Sequence, residues 1–585
     1  MISVFLIFII ILALLLRVIG LDHGLPFIYS DLEPHVLYIV GQFDVTGFNP
    51  QYFVKPTFLM YLLYGFFKLF QVFYFWGPAP TSSFDPSLVF MGRLFCAVLS
   101  TGGVLLVYAL GREAFSSKRV GLVASFFLSV SLLDVFNAHY ILTDAPMLFF
   151  LILGLLFCVR VAQGADWKNY LYAAGSIGLS AGSKYPGGVL LLILVVAHLL
   201  RPFSEQDQKK TWKKKLTLKT WPILAMTGAV GFFFLLTSPY FLLDHKKGIE
   251  GIKMIWGYVS RPHFFLRFYS PWKSYLFEAL GFGLGWPILL AGFFGVGLSI
   301  YKKNRIGILL GVTVIVFFLI ISVKNVFYYR YALPLLAPLC VLAAWSLDQF
   351  KEYRPSWRSL YFLLIIFLAV LPLSRSLRMV WLFTQPDTRS QGLEWVETHI
   401  PEGSRILHEY RYDLYLGLHP DQWPDLEEAS ETATLLWKGM HQYRLYRSKR
   451  GRVPYRSQNL TGGLHIRHIG KVRKHKIFKA EDVRREGTEF VVFNHVFLSR
   501  NTGWQPLELL KLVRKGELLY HNSPYTGDAP LPVSRWERIP DSQLSQWAST
   551  PWEKIVPQHH VFPWRDIWRR NKMGPALWIY DVRKI

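Results

Sequence analysis

The stretch IGILLGVTVIVFFLIISV, residues 306–323, carries no charged side chain and is long enough to cross the hydrocarbon layer of a membrane. Comparable apolar runs recur from the N-terminus to about Leu373, and none of similar length follows. The basic segment Tyr301–Arg305 lies directly before the quoted stretch. The sequence therefore predicts a polytopic helical membrane region followed by a polar C-terminal region.

Eleven apolar runs are predicted to span the bilayer as helices. They cover residues 2–19, 89–110, 120–135, 145–161, 170–181, 186–200, 221–236, 275–300, 306–323, 326–345 and 360–377. The first run resembles a secretory signal, but it lacks a basic leader and a following cleavage site, so we interpret it as a retained span. Val54–Trp76 is interpreted as interfacial, re-entrant or paired with an unresolved span, because one extra crossing would move the basic loop after Leu110 to the outer side.

Composition and charge exclude several classes of protein. The 585 residues are 52% hydrophobic and 16% aromatic, too apolar and too clustered for an ordinary soluble enzyme. The net charge of +25 does not favour nucleic-acid binding, since much of it lies in loops between apolar runs. The three cysteines fall inside apolar runs, and no Walker A, dinucleotide-binding or zinc-protease motif occurs.

Basic loops set the predicted orientation. With the N-terminus inside, every cytoplasmic loop carries Lys or Arg, most clearly Arg201–Lys219 with its five clustered lysines. An odd number of spans then places residues 385–585 outside, together with the long loop after the first span. We predict two domains, a membrane domain at 1–384 and an extracytoplasmic α/β domain at 385–585, with a helix at 392–399 and strands at 405–408, 490–493 and 577–582.

The first outer loop is acidic. Asp31 and Glu33 precede His35, and such carboxylates could accept a proton or hold a cation. Asp31, Glu33 and His35 could together bind a divalent ion, but they could also act without one, so the metal is left open. The alternative is that Ser30 or Asp31 only caps the following helix, with Pro34 in its first turn.

A second acidic position lies at another predicted outer end. Asp144 opens an apolar run with Pro146 in its first turn, and His139 lies just before it. An ordinary helix start is the competing interpretation of Asp144. Tyr185 and Tyr240 also lie at outer ends and are included as residues of the same predicted pocket.

Four cations lie at or near outer ends of apolar runs, where a charge is costly unless it faces a cavity or an anion. They are Lys55, Arg93, Lys184 and Arg330. Lys184 lies in a glycine-rich turn suited to anion binding, and Arg330 lies among tyrosines where its guanidinium suits a phosphate. Snorkelling of the long side chains to the interface is the alternative.

The order of these motifs resembles the GT-C glycosyltransferases, specifically the branch of protein O-mannosyltransferases and the lipid A aminoarabinose transferase. The resemblance covers roughly residues 31–338. It rests on Asp31-x-Glu33-Pro34-His35, Asn49-Pro50 to Lys55-Pro56, Met91-Gly92-Arg93, Thr143-Asp144-Ala145-Pro146, Gly182-Ser183-Lys184-Tyr185, Ser238-Pro239-Tyr240 and Arg330-Tyr331-x-x-Pro334. In this chain Leu32 separates two carboxylates that family members usually show side by side.

The resemblance implies a GT-C-like fold of about 11 to 13 transmembrane helices. It implies inverting transfer of a hexose or pentose derivative from a polyprenyl-phosphate carrier to an outer acceptor. Asp31 would be the base, Glu33 and Asp144 would assist, and Lys55, Arg93, Lys184 and Arg330 would bind the carrier phosphate. The alternatives are a flippase, which would need matched halves and polar residues at mid-membrane, or a carrier-binding protein without turnover.

Overall fold

The protein is described here from a computed structural model. The structure describes residues 2–30, 33–72, 84–164, 166–202, 212–260, 270–323, 327–353, 358–401, 403–408, 456–459, 480–485, 487–494, 511–526, 540, 542 and 567–585. The chain divides into two compact units. Unit 1 comprises residues 1–21, 40–80 and 87–380, and unit 2 comprises 22–39, 81–86 and 381–585. The chain between 22 and 39 thus clusters with the C-terminal region.

The helices before residue 384 are mostly long and apolar. Their bounds are α1 Ile2–Val18, α2 Glu33–Thr46, α3 Phe58–Val72, α4 Pro86–Phe115, α5 Lys118–Ser129, α6 Leu132–Ala138, α7 Asp144–Ala162, α8 Trp167–Ser183, α9 Leu190–Leu200, α10 Trp212–Thr237, α11 Tyr240–Leu243, α12 His245–Ser260, α13 Pro271–Lys273, α14 Trp286–Tyr301, α15 Arg305–Ser322, α16 Leu336–Tyr353 and α17 Arg358–Phe383. Short 3₁₀ helices cover Tyr185–Val189 and Tyr329–Leu335, and a π-helix covers Ser274–Gly285.

Six helices in the described residues are long and apolar enough to cross a membrane, or seven if the bent pair α5 and α6 is one span. Four shorter apolar helices accompany them, among them Phe58–Val72. At about 1.5 Å per residue, a helix of that length falls short of the roughly 30 Å hydrocarbon core. Within the described residues, each of the eleven predicted spans overlaps one or two helical segments, which confirms a polytopic helical fold.

Helices α8 and α10 approach each other closely because Gly178 has no side chain. A Cβ on Gly178 would lie 2.5 Å from the Cβ of Phe233 and 2.9 Å from the carbonyl oxygen of Val230. Gly178→Ala is therefore expected to lower the free energy of unfolding by about 1–3 kcal/mol through overpacking. Thermal unfolding in detergent measures the loss.

Gly231→Ala on α10 is the matched control, since a Cβ there meets no atom within 4 Å. Alanine also favours a helix over glycine, so this control is expected to be neutral or stabilising. Equal melting temperatures for the two variants would show that the close approach at Gly178 does not limit stability.

A buried ion pair joins α1 to α6. The Arg17 side chain is fully buried, and its Nη2 donates to Oδ2 of Asp134 at 2.5 Å. Ser100 on α4 completes the network, because its hydroxyl accepts from Arg17 Nε at 2.8 Å and donates to the same Asp134 oxygen at 2.8 Å. Arg17 Nη1 also donates to the carbonyls of Ala13 and Ser129. The bend of 60° between α5 and α6 is thus tied to the first helix.

Unit 2 is built around a five-stranded sheet in the described residues, with strand order β2-β1-β3-β5-β4. The strands are β1 Arg405–His408, β2 Arg456–Asn459, β3 Phe490–Asn494, β4 Glu517–Asn522 and β5 Leu577–Asp581. β1 pairs in parallel with β2 and β3, while β5 is antiparallel to β3 and β4. Two helices, α18 Thr388–His399 and α19 Ala480–Arg485, accompany the sheet.

The core of this unit lies between α18 and the sheet, where buried apolar side chains of both meet. It comprises Leu393, Val396, Ile400, Ile406, Phe490, Val492, Leu577 and Ile579. The predicted helix at 392–399 and the strands at 405–408, 490–493 and 577–582 are confirmed by α18, β1, β3 and β5.

Candidate functional site

Asp144 begins α7, and its carboxylate is buried, with 2% of the residue exposed. Thr143 lies at the N-cap position and Pro146 in the first turn, where a missing backbone N–H costs nothing. A carboxylate in this turn is also favoured by the helix dipole. The interpretation of Asp144 as a helix start is therefore confirmed. Any further role of its carboxylate depends on the cations that it contacts.

Lys184 is the first partner. It follows α8 in an extended conformation, and its Nζ donates to Asp144 Oδ1 at 2.6 Å. The ammonium also lies 4.9 Å from the centre of the Tyr331 ring. The glycine-rich sequence allows this turn, because a Cβ on Gly187 would lie 2.3 Å from the hydroxyl oxygen of Ser180. The 3₁₀ segment after Lys184 can thus fold back against α8.

Arg330 is the second partner. It lies in the 3₁₀ helix Tyr329–Leu335, with its Nε 4.0 Å from Asp144 Oδ2. Its guanidinium lies 4.5 Å from the Tyr328 ring centre and 5.9 Å from that of Tyr331. The tyrosines that the sequence places beside Arg330 therefore contact the cations: Tyr331 lies near both Lys184 and Arg330, and Tyr328 lies near Arg330.

Together the three side chains form what we name the Asp144 cluster, consisting of Asp144, Lys184 and Arg330. The carboxylate is almost wholly buried, whereas the Lys184 and Arg330 side chains are 14% and 18% exposed. Two cations share one carboxylate, so the ionised cluster is cationic on its accessible side. Such an arrangement can bind an anion with charge-assisted hydrogen bonds.

A pocket lies beside the cluster, between α4, α6 and α7. Its polar lining comes from Ser100, Asp134, Asn137 and Asp144, and its apolar lining includes Phe149. Within the described residues, the amide oxygen of Asn137 is buried and accepts no hydrogen bond. Two buried carboxylates that each face a cation, Asp134 and Asp144, thus line one cavity.

Two predicted motifs, those of Tyr185 and Tyr240, are each hydrogen-bonded to the segment around Lys55. The hydroxyl of Tyr240 donates to the carbonyl of Gly47, and that of Tyr185 donates to the carbonyl of Phe53 at 2.7 Å. Thr57 donates to the carbonyl of Thr237 at 3.0 Å. The half-buried Lys55 therefore belongs to a segment that Tyr185, the neighbour of Lys184, holds in place.

Arg93 and His139 have other contacts. Arg93 Nη1 donates to the carbonyl of Leu21 at 2.8 Å, and the two ring nitrogens of His139 lie 2.7 and 3.0 Å from the carbonyls of Val135 and Ile19. Both side chains are buried. Both thus help to satisfy carbonyls just after α1. The phosphate role of Arg93 and the place of His139 in the pocket stay predictions.

The acidic loop is partly described. Asp31 lies outside the described residues, whereas Glu33 starts α2 and is fully buried, and His35 is 7% exposed. Both belong to unit 2. Among the residues that the structure describes, no group of three or more His, Cys, Asp or Glu side chains could hold a metal ion. The metal set that includes Asp31 stays a prediction.

The pair of Arg17 and Asp134 was not predicted from the sequence. A signal was present, since each is a charge inside an apolar run, and such charges mark paired or functional sites. The pair also brings Asp134 to the pocket beside Asp144.

Comparisons with known proteins bear on these motifs. The sequence model of the dolichyl-phosphate-mannose-protein mannosyltransferase family matches residues 47–244. No curated protein sequence matches the chain.

Three solved structures share low similarity with the chain. The apo oligosaccharyltransferase of Archaeoglobus fulgidus is 12% identical, with a TM-score of 0.49, over 99% of this chain and 88% of that one. ArnT of Cupriavidus metallidurans, bound to undecaprenyl phosphate, is 14% identical, with a TM-score of 0.44, over 77% of this chain and 89% of that one. The protein O-mannosyltransferase complex of S. cerevisiae, bound to the sugar donor, is 18% identical, with a TM-score of 0.32, over 42% of this chain and 34% of that one.

The matched segment contains the motifs around Lys55, Arg93, Asp144, Lys184 and Tyr240. The resemblance that these motifs predicted is thereby confirmed over this part of the chain: residues 47–244 are similar to the dolichyl-phosphate-mannose-protein mannosyltransferase family.

Proposed function

We propose that this protein is a membrane glycosyltransferase that moves a sugar from a polyprenyl-phosphate carrier to an acceptor on the extracytoplasmic side. The observation that carries the proposal is the Asp144 cluster, in which two partly exposed cations from separate elements share one buried carboxylate. A cationic site among apolar helices suits a ligand with an anionic head and a hydrocarbon tail. The match of residues 47–244 to a family named for dolichyl-phosphate mannose supports that class of donor.

Lys184 and Arg330 are the proposed ligands of the carrier phosphate, with Lys55 as a third. Cations at this position stabilise the charge that develops on the phosphate as the sugar leaves. Asp144 is the proposed positioning residue for both cations, since its two oxygens face Lys184 and Arg330 separately. Arg93, whose Nη1 donates to the carbonyl of Leu21, is kept as a further proposed ligand of the phosphate.

Asp31 is the proposed base, with Glu33 two positions later in the chain. In an inverting transfer, the acceptor oxygen forms a bond to the anomeric carbon while the bond from that carbon to the phosphate oxygen breaks. The acceptor proton passes to the carboxylate, and polyprenyl phosphate leaves. This reaction consumes no nucleotide, which agrees with the lack of nucleotide-binding motifs in the sequence.

Transfer from a labelled carrier tests the proposal. The full chain in lipid nanodiscs is given polyprenyl-phosphate mannose and a membrane extract as acceptor, and mass spectrometry follows the release of polyprenyl phosphate. Asp31→Asn is expected to slow release by about 10²- to 10⁴-fold, the usual contribution of a general base.

Asp44→Asn is the matched control for this substitution. Asp44 is an exposed carboxylate that pairs with Lys68 at 2.9 Å, so its loss is expected to leave the release rate unchanged. A wild-type chain that binds the carrier but never cleaves it would contradict the proposal. Movement of intact carrier between leaflets would instead identify a flippase.

A further inference from the structure

The first loop and the start of the C-terminal region contact each other inside unit 2. The Tyr29 hydroxyl lies 2.8 Å from the hydroxyl of Ser390, which is 361 positions away in the chain. The guanidinium of Arg389 lies 3.8 Å from the centre of the Tyr29 ring. Two consecutive residues of α18 thus hold one aromatic side chain of the loop.

Arg389 is also held by a carboxylate, independently of its contact with the Tyr29 ring. It is 6% exposed, and its Nε and Nη2 donate to the two carboxylate oxygens of Asp387 at 2.8 and 2.7 Å. The same carboxylate accepts from the backbone N–H of Arg389 and so caps α18. The planar guanidinium therefore offers Tyr29 a rigid surface, because the bidentate pair leaves it little rotational freedom.

Two more residues attach the same loop. The His23 ring lies 4.5 Å from the ring of Phe383, and Phe27 packs against the hydrophobic core between α18 and the sheet. The loop is thus held at three points, the last of which is Tyr29, two residues before Asp31. A domain that holds a loop at several points restricts where the loop's carboxylates can lie.

We infer that Arg389 and Ser390 are positioning residues that fix the acidic loop through Tyr29, which gives the C-terminal domain a role in transfer. This inference rests on the proposed function, since it assigns the loop the base for the reaction. Small displacements of a reacting group can cost about 10²-fold in rate even when they arise outside the reacting atoms. The proposed phosphate ligands belong to unit 1, so carrier binding should not depend on Arg389.

The test combines kinetics with hydrogen exchange in the full chain. Arg389→Met keeps the length of the side chain and removes the cation. We expect amide exchange over residues 22–39 to rise at least tenfold and kcat to fall at least tenfold, with KM for the carrier within twofold of wild type. Tyr29→Leu should have the same effects, and the double variant should be no worse than either single one.

Arg583→Met is the matched control. Arg583 also pairs with a carboxylate two positions earlier, Asp581 at 2.6 Å, and lies 5.0 Å from the ring centre of Phe490. Its side chain is 51% exposed and holds no part of the loop, so loop exchange and kcat should match wild type. Arg389→Lys, which keeps the charge for Asp387, replaces Arg389→Met should that variant fail to fold.

Several results would overturn the inference. Unchanged exchange in the loop, additive effects of Tyr29→Leu and Arg389→Met, or a raised KM at constant kcat would each exclude a positioning role for Arg389. A wild-type chain without transfer would refute the proposed function and this role with it. An active wild type with an unaffected Arg389 variant would refute the inference alone.

Discussion

Replacing Lys184 with methionine is expected to weaken the binding of a polyprenyl phosphate by about 10- to 100-fold. A hydrogen bond to a charged group contributes about 1.5–3 kcal/mol, and each 1.4 kcal/mol corresponds to about tenfold in affinity. The substitution removes the ammonium that lies 2.6 Å from Asp144 and 4.9 Å from the Tyr331 ring centre. Titration of the nanodisc-embedded chain with undecaprenyl phosphate measures the dissociation constant.

Lys68→Met gives a closely matched control. Lys68 also pairs with a carboxylate, Asp44 at 2.9 Å, and its Nζ lies 5.3 Å from the ring centre of Tyr64. Its side chain is 50% exposed, whereas that of Lys184 is 14% exposed. If both variants bound the carrier as tightly as wild type, Lys184 would contact other groups of the protein but not the phosphate, and the phosphate site would lie elsewhere.

Melting temperatures of the two variants separate binding from stability. Lys184→Met removes the closer of the two cations that face the buried Asp144, and Arg330 remains 4.0 Å away. Some loss of stability is therefore expected for Lys184→Met and none for Lys68→Met. A loss of carrier affinity that persists at temperatures where both variants are fully folded belongs to the phosphate site.

The sequence predicts the structure where local chemistry determines it. Asp144, Lys184 and Arg330 each lie where an apolar run begins or ends, and a charge in such a place must find a cavity or a partner. The three motifs are far apart in the chain, yet the structure brings them within salt-bridge distance. The strand at 405–408 was predictable from a different local signal, a short apolar run that begins just after a helix.

The partners of buried polar groups were not predictable in the same way. Arg93 and His139 contact backbone carbonyls just after α1. Every residue has such a carbonyl, so the sequence does not indicate which one a side chain will contact. The contact of Tyr29 with Ser390 likewise depends on tertiary packing, since neither residue type marks a site by itself. Sequence patterns locate polar groups along the chain, whereas the packing of helices and loops decides which of them meet.

The ion pair of Arg17 and Asp134 gives the largest expected effect on stability. Arg17→Met is expected to lower the free energy of unfolding by about 3–5 kcal/mol, because it leaves a buried carboxylate without its cation. Asp134 is 3% exposed, and its Oδ2 would then keep only the hydroxyl of Ser100 among the partners described above. Thermal unfolding in detergent measures the effect.

Two further variants distinguish the loss of the ion pair from the loss of the hydrogen bonds that Arg17 donates to backbone carbonyls. Arg160→Met removes a partly exposed pair with Glu113 at 3.4 Å and should cost less than about 1 kcal/mol. Arg17→Met combined with Asp134→Leu should recover most of the stability, since an apolar pair avoids the cost of burying charges. If the double variant melted no higher than Arg17→Met, the hydrogen bonds of Arg17 to the carbonyls of Ala13 and Ser129 would be its main contribution. The bend between α5 and α6 would then depend on the guanidinium as a donor rather than on its charge.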